Sequence, residues 1–438
     1  MPTVAVKVKS PATAAATDST ALLRRLGPGL ITGAADDDPS GIATYSQVGA
    51  QFGMAMLWTM LFSFPLMAAM QEICARVGRI TGAGIAANLR KHYPKPLLFG
   101  AVALLCAANI FNLGADIAAI GAAAQLILGG SVNAYAIVFG LISVVLQIYV
   151  PYRRYVRYLK WLTFALFAYV GTAFVVHVPW GAALRATAIP AISWTPDYWM
   201  ALVAVLGTTI SPYLFFWQAS EEAEDVRVTR DESALKRKPR QAFAQFRRIA
   251  FDTRVGMALS NLIAFFIILT AAVTIHAGGH GQEIHTAADA AKALQPVAGR
   301  FALLLFAIGI IGTGLLAVPV LAGSAAYGVA EAFRWRASLE SKPEQAPKFY
   351  FVIAAATLLG LLLNFVGLDP IRALYWSAIV NGVAAAPLMA MLMIMSANRA
   401  VVREFTLPLY LRIVGWIATA VMLIASLAFL VSMARGAH

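Results

Sequence analysis

The stretch Thr32–Gln47, TGAADDDPSGIATYSQ, decides how the rest of the chain is read. It lies inside an apolar run from about Leu26 to Phe64. Within that run stand three consecutive carboxylates, Asp36, Asp37 and Asp38, followed at once by Pro39, Ser40 and Gly41. Proline removes a backbone donor and glycine loosens a helix, so a helix through this run is predicted to break near its middle. Charge at mid-depth in a bilayer costs roughly 3 kcal/mol or more. A broken helix with acids at the break has one common use: freed backbone carbonyls and carboxylates coordinate a cation in a protein-lined cavity. The plainer alternative is a polar loop between two helices. It fits less well, because the apolar flanks are too short to span separately at about 20 residues each.

Composition points the same way. The chain has 438 residues, 60% of them hydrophobic and 13% charged, with a mean hydropathy of +0.73. A soluble domain has no use for so much apolar surface, so the expectation is an all-α polytopic membrane protein. Residues 1–24 read as a disordered cytoplasmic tail rather than a cleavable signal peptide. Residues 25–435 read as one transmembrane domain. Cys74 and Cys106 both fall in predicted membrane helices, as small apolar residues rather than a disulfide or a thiolate metal site.

Eleven membrane segments are predicted, at about 28–50 (broken), 54–75, 97–125, 132–150, 159–178, 198–220 (broken), 254–276, 301–330, 349–366, 371–396 and 409–433. With the N-terminus inside, 29 of the 34 basic residues fall on the cytoplasmic side. This satisfies the positive-inside rule and puts the C-terminus outside. The net charge of +13 is then topological and not a footprint for nucleic acid. The connector 221–253 begins acidic (Glu221, Glu222, Glu224, Asp225) and turns basic, and is read as a solvated cytoplasmic loop. The outer loop with His280, Glu283, His285 and Asp289 allows a surface metal site, but spacing alone favours a solvated loop.

The sixth segment contains a second break. In LGTTISPYLFFWQAS, residues 206–220, Pro212 sits inside an apolar run with Thr208, Thr209 and Ser211 before it. Two broken helices five segments apart mark a 5+5 inverted-repeat (LeuT-like) transporter, with substrate between the breaks. Repeat one is then about 26–178, repeat two about 198–396, and 409–433 an eleventh, extra helix.

With both breaks identified, the chain resembles the natural resistance-associated macrophage protein (Nramp) family of divalent-metal transporters. The likeness is strongest over Gly27–Thr81 and extends through most of 25–435 as a helix pattern. The family has Gly-Pro-Gly before the first helix, an Asp-Pro-Gly-Asn break, a Met-Pro-His break in the sixth helix, and Asp-x-x-Glu in the third. This chain has Asp38-Pro39-Ser40-Gly41, Ser211-Pro212-Tyr213, and Asp116 with Ala119 in place of the glutamate. A thioether ligand and two proton carriers are thereby missing. Softness favours transition ions, whereas oxygen donors suit Mg²⁺ or Ca²⁺ as well as Mn²⁺. The departures most resemble the Nramp-related magnesium transporters, a branch that moves Mg²⁺ and Mn²⁺ without proton coupling.

On this reading the candidate metal ligands are Asp38, Ser211, Asp37, Gly41, Thr209 and Asp36. Candidate pathway residues are Tyr213, Asp116, Glu72, Thr44, Gln47 and Asn381, the last sharing a face with Ser377. Each has a structural alternative. Asp38 can cap the broken helix, and Tyr213 can be a packed aromatic. Glu72 can pair with Arg76 one turn on. Asp116, with Asn109 and Asn112, can form a buried helix–helix network. Neighbouring residues on a helix lie about 100° apart, so at most one of Asp36 and Asp37 is expected on the face of Asp38.

The expected function is transport of hard divalent cations, Mg²⁺ and also Mn²⁺, by alternating access without proton coupling. A proton-coupled Mn²⁺/Fe²⁺ transporter is the first alternative, followed by a sodium-coupled organic-solute carrier and a non-transporting metal sensor. No nucleophile–base set or nucleotide loop suggests an enzyme. The expected partners are the transported ion and the lipid bilayer, without cofactor, nucleic acid or obligate protein partner. The expected location is a bacterial inner membrane.

Overall fold

The computed structural model describes residues 28–150, 162–229, 232–278, 284–367 and 369–436. The predicted tail at 1–24 lies outside them, as do His280 and Glu283 of the outer loop. The described residues are helical with no strand. In chain order the main helices are α1 (Pro28–Asp36), α2 (Pro39–Phe52), α3 (Trp58–Thr81), α4 (Ile85–His92), α5 (Lys95–Leu128), α6 (Val132–Tyr149) and α7 (Phe167–Val175). The second half holds α8 (Pro196–Thr209), α9 (Pro212–Val228), α10 (Ala242–Thr274), α11 (Ala302–Ala332), α12 (Pro347–Leu363), α13 (Pro370–Ala397) and α14 (Leu409–Gly436). Each predicted segment has its counterpart. Among the described residues nine helical stretches are long and apolar enough to cross a membrane. The exceptions are the broken α1/α2 pair and α7, which is described only from a 3-10 turn at 162 onward.

The two breaks share one local design. Asp38 is extended (φ −75°, ψ 169°) and Pro39 takes the first helical position of α2. Ser211 is likewise extended (φ −76°, ψ 132°) and Pro212 opens α9. A proline at the first turn loses nothing, since that amide has no intrahelical acceptor, and its fixed φ suits the helix. Pro65, Pro319 and Pro387, by contrast, lie inside α3, α11 and α13 without ending them. Proline therefore does not break these helices by itself. The breaks occur where an extended aspartate or serine precedes it.

The N-terminal half of each broken span is held by glycine. A Cβ on Gly33 of α1 would lie 2.4 Å from the Gly256 carbonyl of α10. One on Gly207 of α8 would lie 2.0 Å from the Ala378 oxygen of α13. In a bilayer, where burial of apolar groups gives helices no reason to associate, such close approach gains van der Waals contact. The N-terminus of α1 is also tied to α10, because the Gly29 amide donates to Asp252 Oδ2 at 2.8 Å.

The connector after the sixth span differs from expectation. α9 continues to Val228, and Glu222 and Glu224 are buried rather than solvated. Glu222 lies 2.6 Å from Arg248 and 3.7 Å from Arg79, which itself is only 1% exposed. Glu224 accepts from Tyr327, Ser338 and the amides of Leu339 and Glu340. Buried charges survive when paired and hydrogen-bonded, and hydropathy along one segment does not reveal the partners. Cys74 is buried and Cys106 half-buried, and both are free thiols.

Candidate metal site

Asp38 lies where the two breaks meet. Its Oδ1 accepts from the Ser40 hydroxyl and the Gly41 amide, each at 2.7 Å. This is a helix N-cap that satisfies one of the free amides at the start of α2. Its Oδ2 accepts from Asn112 Nδ2 of α5 at 3.1 Å and faces the Tyr213 hydroxyl at 3.4 Å. That hydroxyl is also 3.0 Å from the Ala35 carbonyl, one of those freed by the end of α1. Tyr213 therefore bridges both sides of the first break from the second. Sequence reasoning marked the tyrosine but not its reach. The sequence marks Asn112 only as a member of a helix–helix network with Asp116, and nothing in it signals the role of Ser40.

The second break is self-contained. The Ser211 hydroxyl lies 2.8 Å from the Gly207 carbonyl and 2.9 Å from that of Thr208. Thr209 turns to the Val205 carbonyl at 2.9 Å. Gly41 brings the two breaks close, since a Cβ there would lie 3.1 Å from Thr208 Oγ1 and 3.3 Å from the Tyr45 ring.

Asp36 and Asp37 both turn to α10. The Ser260 hydroxyl is 2.7 Å from Asp36 Oδ2 and 2.9 Å from Asp37 Oδ1. Nothing in the sequence signals Ser260, one of several serines in apolar helices. Among the described residues no three His, Cys, Asp or Glu side chains are grouped to hold a metal ion. The three aspartates thus do not converge as a single cage.

On the helices that meet at Asp38 several buried polar atoms have no hydrogen-bond partner. They include Thr44 Oγ1, Asn112 Oδ1 and, one turn beyond Asn112 on α5, both oxygens of Asp116, which face the Ser40 amide outside hydrogen-bond geometry. Both amide atoms of Asn381, on α13, are in the same condition. A buried polar group left unpaired costs about 1–3 kcal/mol, so each calls for a water, an ion or a function. Ser377 instead donates to its own helix. Glu72 is remote from this group: it pairs with Arg76 at 2.7 Å and Arg254 at 3.1 Å, and accepts from Tyr410. Gln47 accepts the Ile284 amide at 2.8 Å and so ties α2 to the outer loop. A cavity of about 300 Å³ lies at that end, bounded by Ala43, Gln47, Ile284, Arg372 and Tyr375. Of its lining residues Ala43 is nearest to the break in sequence, little more than a turn from Asp38 on α2.

The family model described as natural resistance-associated macrophage protein-like matches residues 29–432. The chain belongs to the Nramp family. A divalent metal cation transporter, MntH of Klebsiella pneumoniae, is 26% identical over 410 residues, covering 91% of this chain and 92% of the relative. Among solved structures, an Eremococcus coleocola manganese transporter superposes with a TM-score of 0.75 at 17% identity, covering 99% of this chain and 89% of that one. Mhp1, a nucleobase-cation-symport-1 family transporter, superposes with a TM-score of 0.57 at 14% identity, covering 93% of each. These likenesses establish the inverted-repeat fold for this Nramp chain, a multi-pass integral membrane protein.

Proposed function

We propose that this Nramp protein carries divalent metal cations across a membrane by alternating access, and that its site is selective for hard ions, Mg²⁺ and also Mn²⁺. The observation that carries the reading is the meeting of the two breaks: the Asp38 carboxylate faces Tyr213, and its hydrogen-bond partners are hydroxyl and amide groups. Ser211 stands where a thioether would favour soft ions. The ligand set is Asp38 with carbonyls of the breaks, and Asp36, Asp37, Gly41, Thr209 and Ser211 border it. The unpaired groups of Thr44, Asn112, Asp116 and Asn381 suit a cation that keeps part of its water, as Mg²⁺ does. Asp38 Oδ2 exchanges Asn112 and Tyr213 for the ion, while Oδ1 continues to cap α2.

The basic residues put the N-terminus in the cytoplasm and the C-terminus outside, and compact loops suit a bacterial inner membrane. With Ala119 and Tyr213 in place of the family's glutamate and histidine, transport proceeds without coupled protons. A second reading, proton-coupled Mn²⁺/Fe²⁺ transport, draws on Asp116, a buried carboxylate with unpaired oxygens in the same region.

The test is ion flux into proteoliposomes carrying a luminal pH dye. Mg²⁺ uptake without acidification, lost in Asp38→Ala, is the expected result. Uptake of Mn²⁺ alone with acidification would replace this reading with the proton-coupled one.

A further inference from the structure

The face of the bundle opposite the Gln47 cavity carries a larger one, of about 640 Å³. Its wall is formed by the turn between α3 and α4, the end of α9, and the segment that follows α11. Four arginines line it, Arg90, Arg227, Arg334 and Arg336, against two carboxylates, Glu331 and Glu340. Nothing in the ion path reaches this pocket or uses these groups.

Two of the arginines are held in place by backbone oxygens. Arg90 donates to the Glu331 carbonyl. Arg227 donates to the Gly82 carbonyl at 3.2 Å and to that of Ala337 at 3.4 Å. These carbonyls set their positions, and the Glu331 carboxylate is near enough to act on both through its charge. The hydrogen bonds of the Glu331 carboxylate go to other groups: it accepts the amides of Gly84 at 3.1 Å and Ala87 at 3.0 Å, and the Ser220 hydroxyl. Burial, and after it the neighbouring Arg334 guanidinium, hold Arg90 below its ordinary pKa against the opposing charge of Glu331.

Arg334 has an unusual backbone. It follows the end of α11 with φ +60°, in the left-handed region, while the Trp335 amide closes back onto the Ala330 carbonyl at 2.8 Å. Glycine or asparagine is the usual residue there, because a larger side chain costs about 1 kcal/mol. Here the position presents a guanidinium to the pocket. Trp335 lines the pocket and continues outward into an aromatic group, stacking on Phe333 at 5.2 Å, which in turn lies 5.6 Å from Phe99. Phe99 and Phe333 are 42% and 52% exposed. Exposed aromatic rings at the end of a membrane bundle mark the headgroup level. Lys348 adds a further cation over the Trp335 ring.

We propose that this pocket binds a phosphate-bearing anion at the membrane surface, either the phosphodiester headgroup of an anionic lipid or a free phosphate. Guanidiniums match phosphate oxygens with paired N–H donors, and basic pockets between helices on the cytoplasmic side suit anionic headgroups. The aromatic rim gives acyl chains a way out to the bilayer. The proposal is independent of which ion is carried.

The experiment titrates the full-length protein in neutral detergent with short-chain phosphatidylglycerol, short-chain phosphatidylcholine and inorganic phosphate, following thermal stability. Wild type is compared with the Arg334→Gln/Arg336→Gln double variant. Stabilisation by phosphatidylglycerol alone, with an apparent affinity weakened about 30-fold in the variant (about 2 kcal/mol for two basic residues), supports a lipid site. Equal stabilisation by inorganic phosphate, lost in the same variant, supports a free-phosphate site. No preference for either anion over phosphatidylcholine, or a preference unchanged in the variant, overturns the proposal. Native mass spectrometry of the wild type decides the matter if the variant does not fold: retention of phosphatidylglycerol no greater than phosphatidylcholine, together with no retained phosphate, also overturns it.

Discussion

Asp38 has two oxygens with different neighbours. Oδ1 is committed to the helix through Ser40 and Gly41, while Oδ2 faces the side chains of Asn112 and Tyr213 on two other helices. A carboxylate arranged this way can exchange one set of contacts for a cation without unwinding α2. Ser211 is equally informative, because its hydroxyl serves the carbonyls of its own break. Changing Ser211→Met removes that hydrogen bond and offers a thioether in its place. The expected outcome is a shift of selectivity toward soft ions. Cd²⁺ should compete with Mg²⁺ uptake about tenfold better than in wild type, about 1.4 kcal/mol of relative affinity. Competition flux measures this, and an unchanged Cd²⁺ inhibition constant would show that residue 211 does not face the ion.

At the scale of elements, the broken spans depend on close helix contact. Gly33→Ala would push a methyl group into the Gly256 backbone, and neither backbone can yield without moving α1. Overpacking of this kind costs typically 1–3 kcal/mol. The expected result is a lowered melting temperature together with slowed uptake, because α1 carries the first half of the site. Retained stability and flux would show that α1 accommodates the methyl by a small shift. A second element-scale prediction concerns Arg79, buried at the end of α3 among Glu222, Asp225 and Glu232. Removing one member of a buried charge cluster leaves the others uncompensated, which costs about 3–5 kcal/mol. Arg79→Met should therefore lower thermal stability markedly, whereas Arg412→Met at the start of α14 should not; equal melting temperatures for the two variants would contradict this account.

Across the whole molecule, the basic residues divide the chain into two faces. The prediction is that a reporter phosphatase, active only outside the cell, gives signal when fused after α14 and none when fused in the turn between α9 and α10. The opposite pattern would invert the bundle and place the arginine pocket outside. The spans and both breaks were legible in the sequence, because they depend on local properties: apolar length, and a proline preceded by an aspartate or serine in an apolar run. The contacts of the breaks were less legible. Asp36 and Asp37 find Ser260 on α10, more than two hundred residues away. The acidic start of the predicted connector proved to be buried helix, because Arg79 and Arg248 fold onto it.

By itself the sequence determined that this chain lives in a membrane, crosses it in eleven segments, and breaks the first and sixth. Those features follow from the cost of putting charge or unpaired backbone in hydrocarbon, a cost paid residue by residue along one segment. Only the tertiary structure decided which polar groups meet. Tyr213 reaches Asp38, Ser260 takes the other two aspartates, and four arginines gather beneath an aromatic rim. The physical reason is that side-chain partners depend on helix rotation and on approach measured in tenths of an ångström. These are set by glycine contacts and packing over the whole bundle rather than by neighbours in the chain.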